Sequence, residues 1–494
     1  MDTVIIKTEQ MKKQIYNPYL PNYEYIPDGE PRLFNDRLYV YGSHDRFGCR
    51  FFCDNDYALW SAPLEDLSDW KYHGIIFRRD QDPLNTENFP LFAPDCIEGK
   101  DGRYYLYYAP CGTRSIGVAV SKNPEGPFEF LSHLKGHDGD LLGMRENDPY
   151  PFDPAIFIND DGKIFFYLGF APDPSWDFLE REFGPLPLSS GAYAVELEDD
   201  MYTLKGDVHK VEITDCPDPG HGFLEASSMR KIGSTYYFIY SSWNSHELCY
   251  ATGADPSGPF TYRGILLDNG DIGLPGIVED ERMAYTGNNH GSLIRLNDQW
   301  YIFGHRQTNY GVYARQGIAE KVFIQKDGSI PQAELTSCGL NDGLLIPEGT
   351  YGAFIACHLR SKHGALHYLG NCEGEGYENI RLDHPAFSQD GEDRESDPGQ
   401  YIKNMRDGAI AGFRYFAPIG KTSLKVKTRG SSGYFEVRCE YDGEILAKIP
   451  LNESGSFTES ESVEILFPET DKLSLYFTYR GEGSINFLDL TFSG

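Results

Sequence analysis

Residues 28–43 read DGEPRLFNDRLYVYGS. An acidic residue opens the stretch, an Asn-Asp pair breaks it in the middle, and an aromatic, alternating run follows. That is the grammar of a β-hairpin, since Asn and Asp tolerate the left-handed backbone of a tight turn. The same grammar recurs four more times, as DCIEGKDGRYYLYYAP from Asp95, DPAIFINDDGKIFFYLG from Asp153, EASSMRKIGSTYYFIYSS from Glu225 and HGSLIRLNDQWYIFGHR from His290. The five openings are spaced by 67, 58, 72 and 65 residues, room for four strands and their loops in each repeat. NPEGPFEF at 123–130 and DPSGPFTY at 255–262 fall at similar places in two repeats and suit a turn between outer strands.

Five four-stranded sheets arranged radially make a β-propeller, whose innermost strands surround a central channel. If the repeats are equivalent, Asp28, Asp95, Asp153, Glu225 and His290 converge at one mouth of that channel. An acid before a strand is by itself a common turn or solvated-end residue. The matched position in five repeats gives the set its meaning.

Composition agrees with an all-β chain. Among 494 residues, 34 are Tyr and 31 Phe, and Gly and Pro together number 82, so strands are short and turns many. The formal charge of −31 opposes binding to a phosphate backbone, so no nucleic-acid partner is expected; a neutral carbohydrate meets no such repulsion. No apolar run long enough to span a membrane occurs, so no membrane partner is expected either. The opening MDTVIIKTEQMKKQIYNPYL lacks the pattern of a secretory signal, which leads to the expectation of a cytoplasmic protein, or a secreted one whose signal is missing. The ten cysteines include one close pair, Cys49 and Cys53, without partners at zinc spacing, and read as reduced thiols.

PDGEPRLF, FDPAIFINDDGK and EASSMRKIGSTYYFIYSS together resemble the three catalytic blocks of glycoside hydrolase family 43, and NNHGS at 288–292 resembles that family's axial His segment. The resemblance covers roughly residues 16–335 and implies a five-bladed propeller acting on arabinose- and xylose-containing saccharides. It implies Asp28 as general base, Glu225 as general acid, and Asp153 as the carboxylate that orients Glu225 and keeps its pKa high. His290 would lie on the axis, where relatives hold a water or a calcium ion, and Arg306 in FGHRQT resembles a substrate-contacting arginine. The first block departs from the commoner Asp-Pro pattern, with Gly29 after Asp28. Glu30, two residues on, would face the same side of a strand, so alternation leaves it as a rival base.

The chemistry supports the assignment of roles. Glycoside hydrolysis needs one carboxyl protonated and another ionised at the same pH, and a gap of roughly 6.5–9.5 Å between them admits a water and inverts the anomeric centre. It requires no cofactor; calcium, where bound, would be structural or electrostatic. Asp95 and His44 are further candidates for lining the pocket, and Trp176 and Trp243 for stacking on a sugar.

After a turn-rich passage at 336–349, read as a linker, period-two segments such as TSLKVKTRG and LSLYFTYRG predict a β-sandwich (jelly-roll) at 350–494, with the propeller occupying 1–335. GQYIKNMRDGAIAGFRYF and INFLDLTF resemble a family 6 carbohydrate-binding module, although Cys357 stands where such modules often carry an acidic calcium ligand. Tyr377 and Tyr434 are the stacking candidates there, and a sandwich serving only to pack on the propeller is the alternative. The expected activity is inverting, exo-acting release of α-L-arabinofuranose from arabinoxylan or its oligosaccharides. β-D-xylosidase or dual activity is the runner-up and endo-arabinanase a more distant one. A non-catalytic sugar-binding or protein-interaction propeller would need no acid/base pair, and a transferase acting on a phosphorylated sugar would need a basic pocket.

Overall fold

In the computed structural model, residues 15–145, 147–172, 190–367, 383–394 and 399–493 are described. Trp176 and Tyr377 lie outside them.

The five inner hairpins form where the turn chemistry places them. Asn35 and Asp36 both take positive φ between strands Glu30–Phe34 and Arg37–Tyr41, the two-residue turn that matches strand twist. Gly102, Gly162, Gly233 and Asn297 supply a left-handed residue in the other four. Each hairpin then extends outward as an antiparallel meander. The first two blades add Tyr57–Pro63 and Lys71–Phe77, and Gly117–Ser121 and Glu129–His133. The third adds Tyr193–Leu197 and His209–Lys210, and the fourth adds Glu247–Gly253 and Phe260–Asp268 with a short parallel strand, Ile213–Thr214. The fifth blade shows three described strands, Leu293–Leu296, Gln299–Thr308 and Gly311–Val322. Both Gly-Pro-Phe passages connect the third strand of a blade to its fourth, and their Phe128 and Phe260 are buried between blades.

Strand alternation closes the ring. On Tyr104–Tyr108 the residues Tyr104, Leu106 and Tyr108 pack against blade one, while Tyr105 and Tyr107 pack against blade three. Successive side chains point to opposite faces, so a strand rich in apolar residues at every position has two faces to bury. Five apolar clusters result, each shared by two neighbouring blades. The last joins Ile294, Tyr301 and Phe303 of blade five to Leu38, Val40 and Trp60 of blade one. Tyr19, Leu20 and Ile26 pack into that closing seam, and Gly29 and Gly291 bridge its inner rim.

Residues 323–335 still pack on blades four and five, and from Gly349 the chain forms a sandwich of a seven-stranded and a five-stranded sheet around an aromatic-rich core that includes Phe413, Phe435, Phe477 and Phe487. The passage at 336–349 is not a free tether. Thr336 donates through its backbone and hydroxyl to Glu320, and Leu345 is buried in the sandwich core. Asp271 of the propeller accepts from Arg414 at 2.5 Å and from His358 at 2.9 Å, both on the sandwich side. Burial would raise the Asp271 carboxyl, but His358 and Arg414 outweigh it and hold it low. No helix among the described residues is long and apolar enough to cross a membrane.

Candidate active site

Each axial acid sits where its inner strand begins, and the backbone there is unusual. Asp28 (φ 56°), Asp153 (φ 44°) and Ala226 (φ 64°) all occupy the left-handed region. Such positions strain a non-glycine residue and cluster at functional sites. In Phe223–Ile232 the pairing register shifts on both sides of Glu225, a bulge that re-aims the side chain. The backbone N–H of Ala226, next in line, donates to Asp153 Oδ2 at 3.0 Å. Asp153 therefore pins the bulge that carries Glu225. Its Oδ2 also lies 3.5 Å from His290 Nδ1.

Asp28 is held by a different set. Arg315 Nη1 donates to Asp28 Oδ1 at 2.9 Å, and the same guanidinium grips Asp45 through Nε (2.8 Å) and Nη2 (3.0 Å). His305 Nε2 lies 2.6 Å from the Asn288 carbonyl and donates to it, leaving Nδ1 to accept from the Asp28 backbone N–H at 3.3 Å. Burial and the nearby Arg315 push His305 down to about 3, so it is neutral, as that pattern requires.

These environments split the carboxyls. Burial would raise Asp28, but Arg315, joined by His305, His290 and the Ser43 hydroxyl, holds the group below the usual carboxylate range. Burial, and next the Asp28 charge, push Glu225 up to about 8 despite Arg315. Asp153 is raised well above the ordinary range by burial and then by the charges of Glu225 and Asp28. Glu225 and Asp153 resist carrying two negative charges together, so near neutral pH the site contains an ionised Asp28 beside a carboxyl that keeps its proton.

Four other sequence candidates are employed elsewhere. Asp95 is fully buried in a two-oxygen pair with Arg32 and also accepts from the Cys96 and Ile156 backbones, so it is a structural anchor. Glu30, the rival base, pairs with Arg230 at 2.7 Å. His44 is buried between Glu24 and the Asp56 carbonyl, and its neighbour Asp45 serves the site instead. Arg306 turns away from the axis: its guanidinium donates to Gln316, Gln400 and the carbonyls of Phe354 and Ala356, and stacks on Phe387 at the seam with the sandwich. Each of the last two expectations missed by one residue: in Gln299–Thr308 adjacent strand positions face opposite sides, so His305 rather than Arg306 meets Asp28, and in the loop after Arg37–Tyr41 it is Asp45 rather than His44 that reaches Arg315. Arg315 and Asp45 went unnoticed; the acids that Arg315 meets, Asp45 and Asp28, stand 270 and 287 residues away in sequence and leave no local signal.

Trp243 donates from Nε1 to the Ala171 carbonyl and packs beside Tyr150, Phe152, Phe170 and Leu224, next to Glu225. In the sandwich, Lys448 covers the Tyr434 ring at 4.7 Å, and the Cys357 thiol donates to the Gly412 carbonyl.

A hard divalent cation takes six to eight oxygens, most of them free carboxylate or carbonyl groups. Around His290, Arg32 and Arg230 already engage Asp95 and Glu30, and Glu30 Oε1 is the one side-chain oxygen of that pair left unpartnered. These residues do not fit a protein-built calcium cage. The metal-type clusters among the described residues, His221–Glu247–Cys249 and His246–Glu247–Asp268, lie in blade four and are linked internally by hydrogen bonds.

A five-bladed propeller with an ionised carboxylate and a proton-bearing one at the mouth of its channel defines a glycoside hydrolase-type site. The model of glycosyl hydrolases family 43 matches residues 30–330, and the chain belongs to that family. It is 44% identical over 492 residues to a xylosidase/arabinosidase of Thermoclostridium stercorarium, covering 97% of this chain and 99% of that one. Xylosidase/arabinosidase 43A of Humicola insolens is 31% identical over 343 residues, 62% of this chain and 96% of its own. Among solved structures, the family 43 arabinoxylan arabinofuranohydrolase from Bacillus subtilis in complex with cellotetraose matches 97% of both chains, at a TM-score of 0.50 and 21% identity. The GH43_1 enzyme from Xanthomonas citri complexed with xylotriose matches 65% of this chain and 93% of its own, at a TM-score of 0.51 and 24% identity. These two likenesses concern the fold.

Proposed function

We propose that this glycoside hydrolase is an exo-acting, inverting enzyme that releases α-L-arabinofuranose from arabinoxylan or its oligosaccharides. The observation that carries the reading is the split within one site, Asp28 held low and Glu225 raised to about 8. Asp28 takes a proton from a water, whose oxygen attacks the anomeric carbon. Glu225 gives its proton to the glycosidic oxygen as that bond breaks, so the sugar leaves with the opposite anomeric configuration. Asp153 holds the Glu225 bulge by its bond to Ala226, while burial and the Asp28 charge keep the proton on Glu225. Trp243 and its aromatic neighbours beside Glu225 offer an apolar wall for the sugar face.

β-D-Xyloside hydrolysis is the second reading, favoured by the double name of the full-length relative from Thermoclostridium stercorarium. A proton NMR time course on an arabinose-substituted xylo-oligosaccharide tests both. Early β-L-arabinose from the α-linked substrate supports the first, and early α-D-xylose from the β-linked chain promotes the second. Release with retained configuration overturns the mechanism.

A further inference from the structure

The sandwich reaches the catalytic centre through a chain of hydrogen bonds. Asp393, on its loop 389–394, accepts from the Phe47 backbone N–H at 2.8 Å and from Asn55 Nδ2 at 3.0 Å. The same Asn55 amide donates to the Asp45 carbonyl, and the Asn55 backbone N–H donates to the His44 carbonyl. Asp393 thus clamps both ends of propeller loop 45–55. That loop delivers two parts to the site. Asp45 holds Arg315 through both carboxylate oxygens, with Cys53 N–H fixing Oδ1, and Phe52 lies against the Arg315 guanidinium and the Tyr313 ring. The neighbouring Arg394 secures the clamp from its other side by pairing with Glu24 at 2.6 Å and stacking on Tyr72.

We propose that loop 389–394 of the sandwich is a positioning element of the hydrolytic site, with Asp393 setting the loop that holds Arg315 against Asp28. The inference rests on the reading of Asp28 as base. It gives the sandwich a part in the reaction that involves no sugar binding by the sandwich itself. Loop 45–55 has few strand bonds of its own, and its backbone is fixed from outside by a carboxylate 338 residues away in sequence. Groups on several blades face Asp28: Arg315 with Asp45 and Cys53 behind it, His305, His290, Asp153, Glu225 and Tyr57. Arg315 alone among these is a permanent cation, so Asp28 should register any loosening of its grip.

Asp393→Asn keeps the shape and one acceptor oxygen but removes the charge and sets an amide NH2 against one of the two donors. It is expected to move the acidic limb of the kcat/KM profile up by about one pH unit and to lower kcat about tenfold, with KM within about twofold. Lys403→Met, which removes a bond to Asn309 elsewhere in the seam, should leave the limb in place. An Asp393→Asn limb superimposed on the wild-type one overturns the proposal. If that variant does not fold, Arg394→Met carries the same expectation and the same overturning result. Asp28→Asn is assayed alongside. Should it retain the wild-type rate, the base assignment fails; should it be inactive while the Asp393→Asn limb is unmoved, the positioning proposal alone falls.

Discussion

Two layers of buried charge lie along the same inner strands. In one, Glu30 and Asp95 meet Arg230 and Arg32, two carboxylates with two guanidiniums. In the other, beginning two residues earlier on the first strand, Asp28, Asp153 and Glu225 share a site where, among the described residues, Arg315 is the one guanidinium bonded to an acid of that set. Both layers are removed from water, so burial does not distinguish them. The cation count does. A balanced layer can stay ionised and serve as a rigid plug, whereas the unbalanced one must keep a proton on a carboxyl. The proton-donating group is a product of that imbalance.

The largest effect is expected from emptying the unbalanced layer. Asp28→Asn or Glu225→Gln should lower kcat by roughly 10²–10⁴-fold, measured on an aryl arabinofuranoside or xyloside. Glu225→Gln should also abolish the alkaline limb. In the wild type, activity rises as Asp28 ionises below the usual carboxylate range and falls as pH passes about 8, where Glu225 loses its proton.

Removing the cation comes next. Arg315→Met leaves Asp28 and Asp45 buried without their partner, and denaturant titration should show a loss of about 3–5 kcal/mol. Its acidic limb should move upward, since Asp28 loses the charge that lowers it. Arg230→Met provides the contrast, because it strands Glu30 in the balanced layer. A stability loss of similar or slightly smaller size is expected, with both pH limbs nearly unmoved. Large limb shifts in Arg230→Met would show that the layers act as one.

The smallest effect concerns acid stability. Burial, with Arg414 nearby, pushes His358 down to about 4, and burial pushes His384 to about 4. Unfolded histidines bind protons near pH 6.5. The unfolded state therefore takes up protons first, and stability should fall as pH drops from about 6.5 towards 4. Thermal midpoints across that range check the sign; an unchanged midpoint contradicts it.

Much of the propeller was legible because its signals are local. Asn-Asp and Gly turns, aromatic strands and an acid or, in the fifth copy, a histidine at each opening repeat within a few residues of one another. The positions of Asp28, Asp153 and Glu225 at inner-strand starts followed from that register. Parity was not legible. GSHD and FGHRQT pointed to the right segments, yet His44 and Arg306 face away while Asp45 and His305 face in. Alternation states that neighbours oppose one another; packing between blades decides which of the two faces the axis.

The sequence alone thus determined the repeat, its turns and the acids that open the inner strands, since each depends on backbone preferences acting over a few residues. Tertiary structure alone decided which acids are neutralised. Arg315 and Asp28 are 287 residues apart, Asn55 and Asp393 338 apart, and Arg32 reaches Asp95 across a blade boundary. Charge balance in a buried layer depends on distances that chain separation does not encode, and ring closure sets those distances.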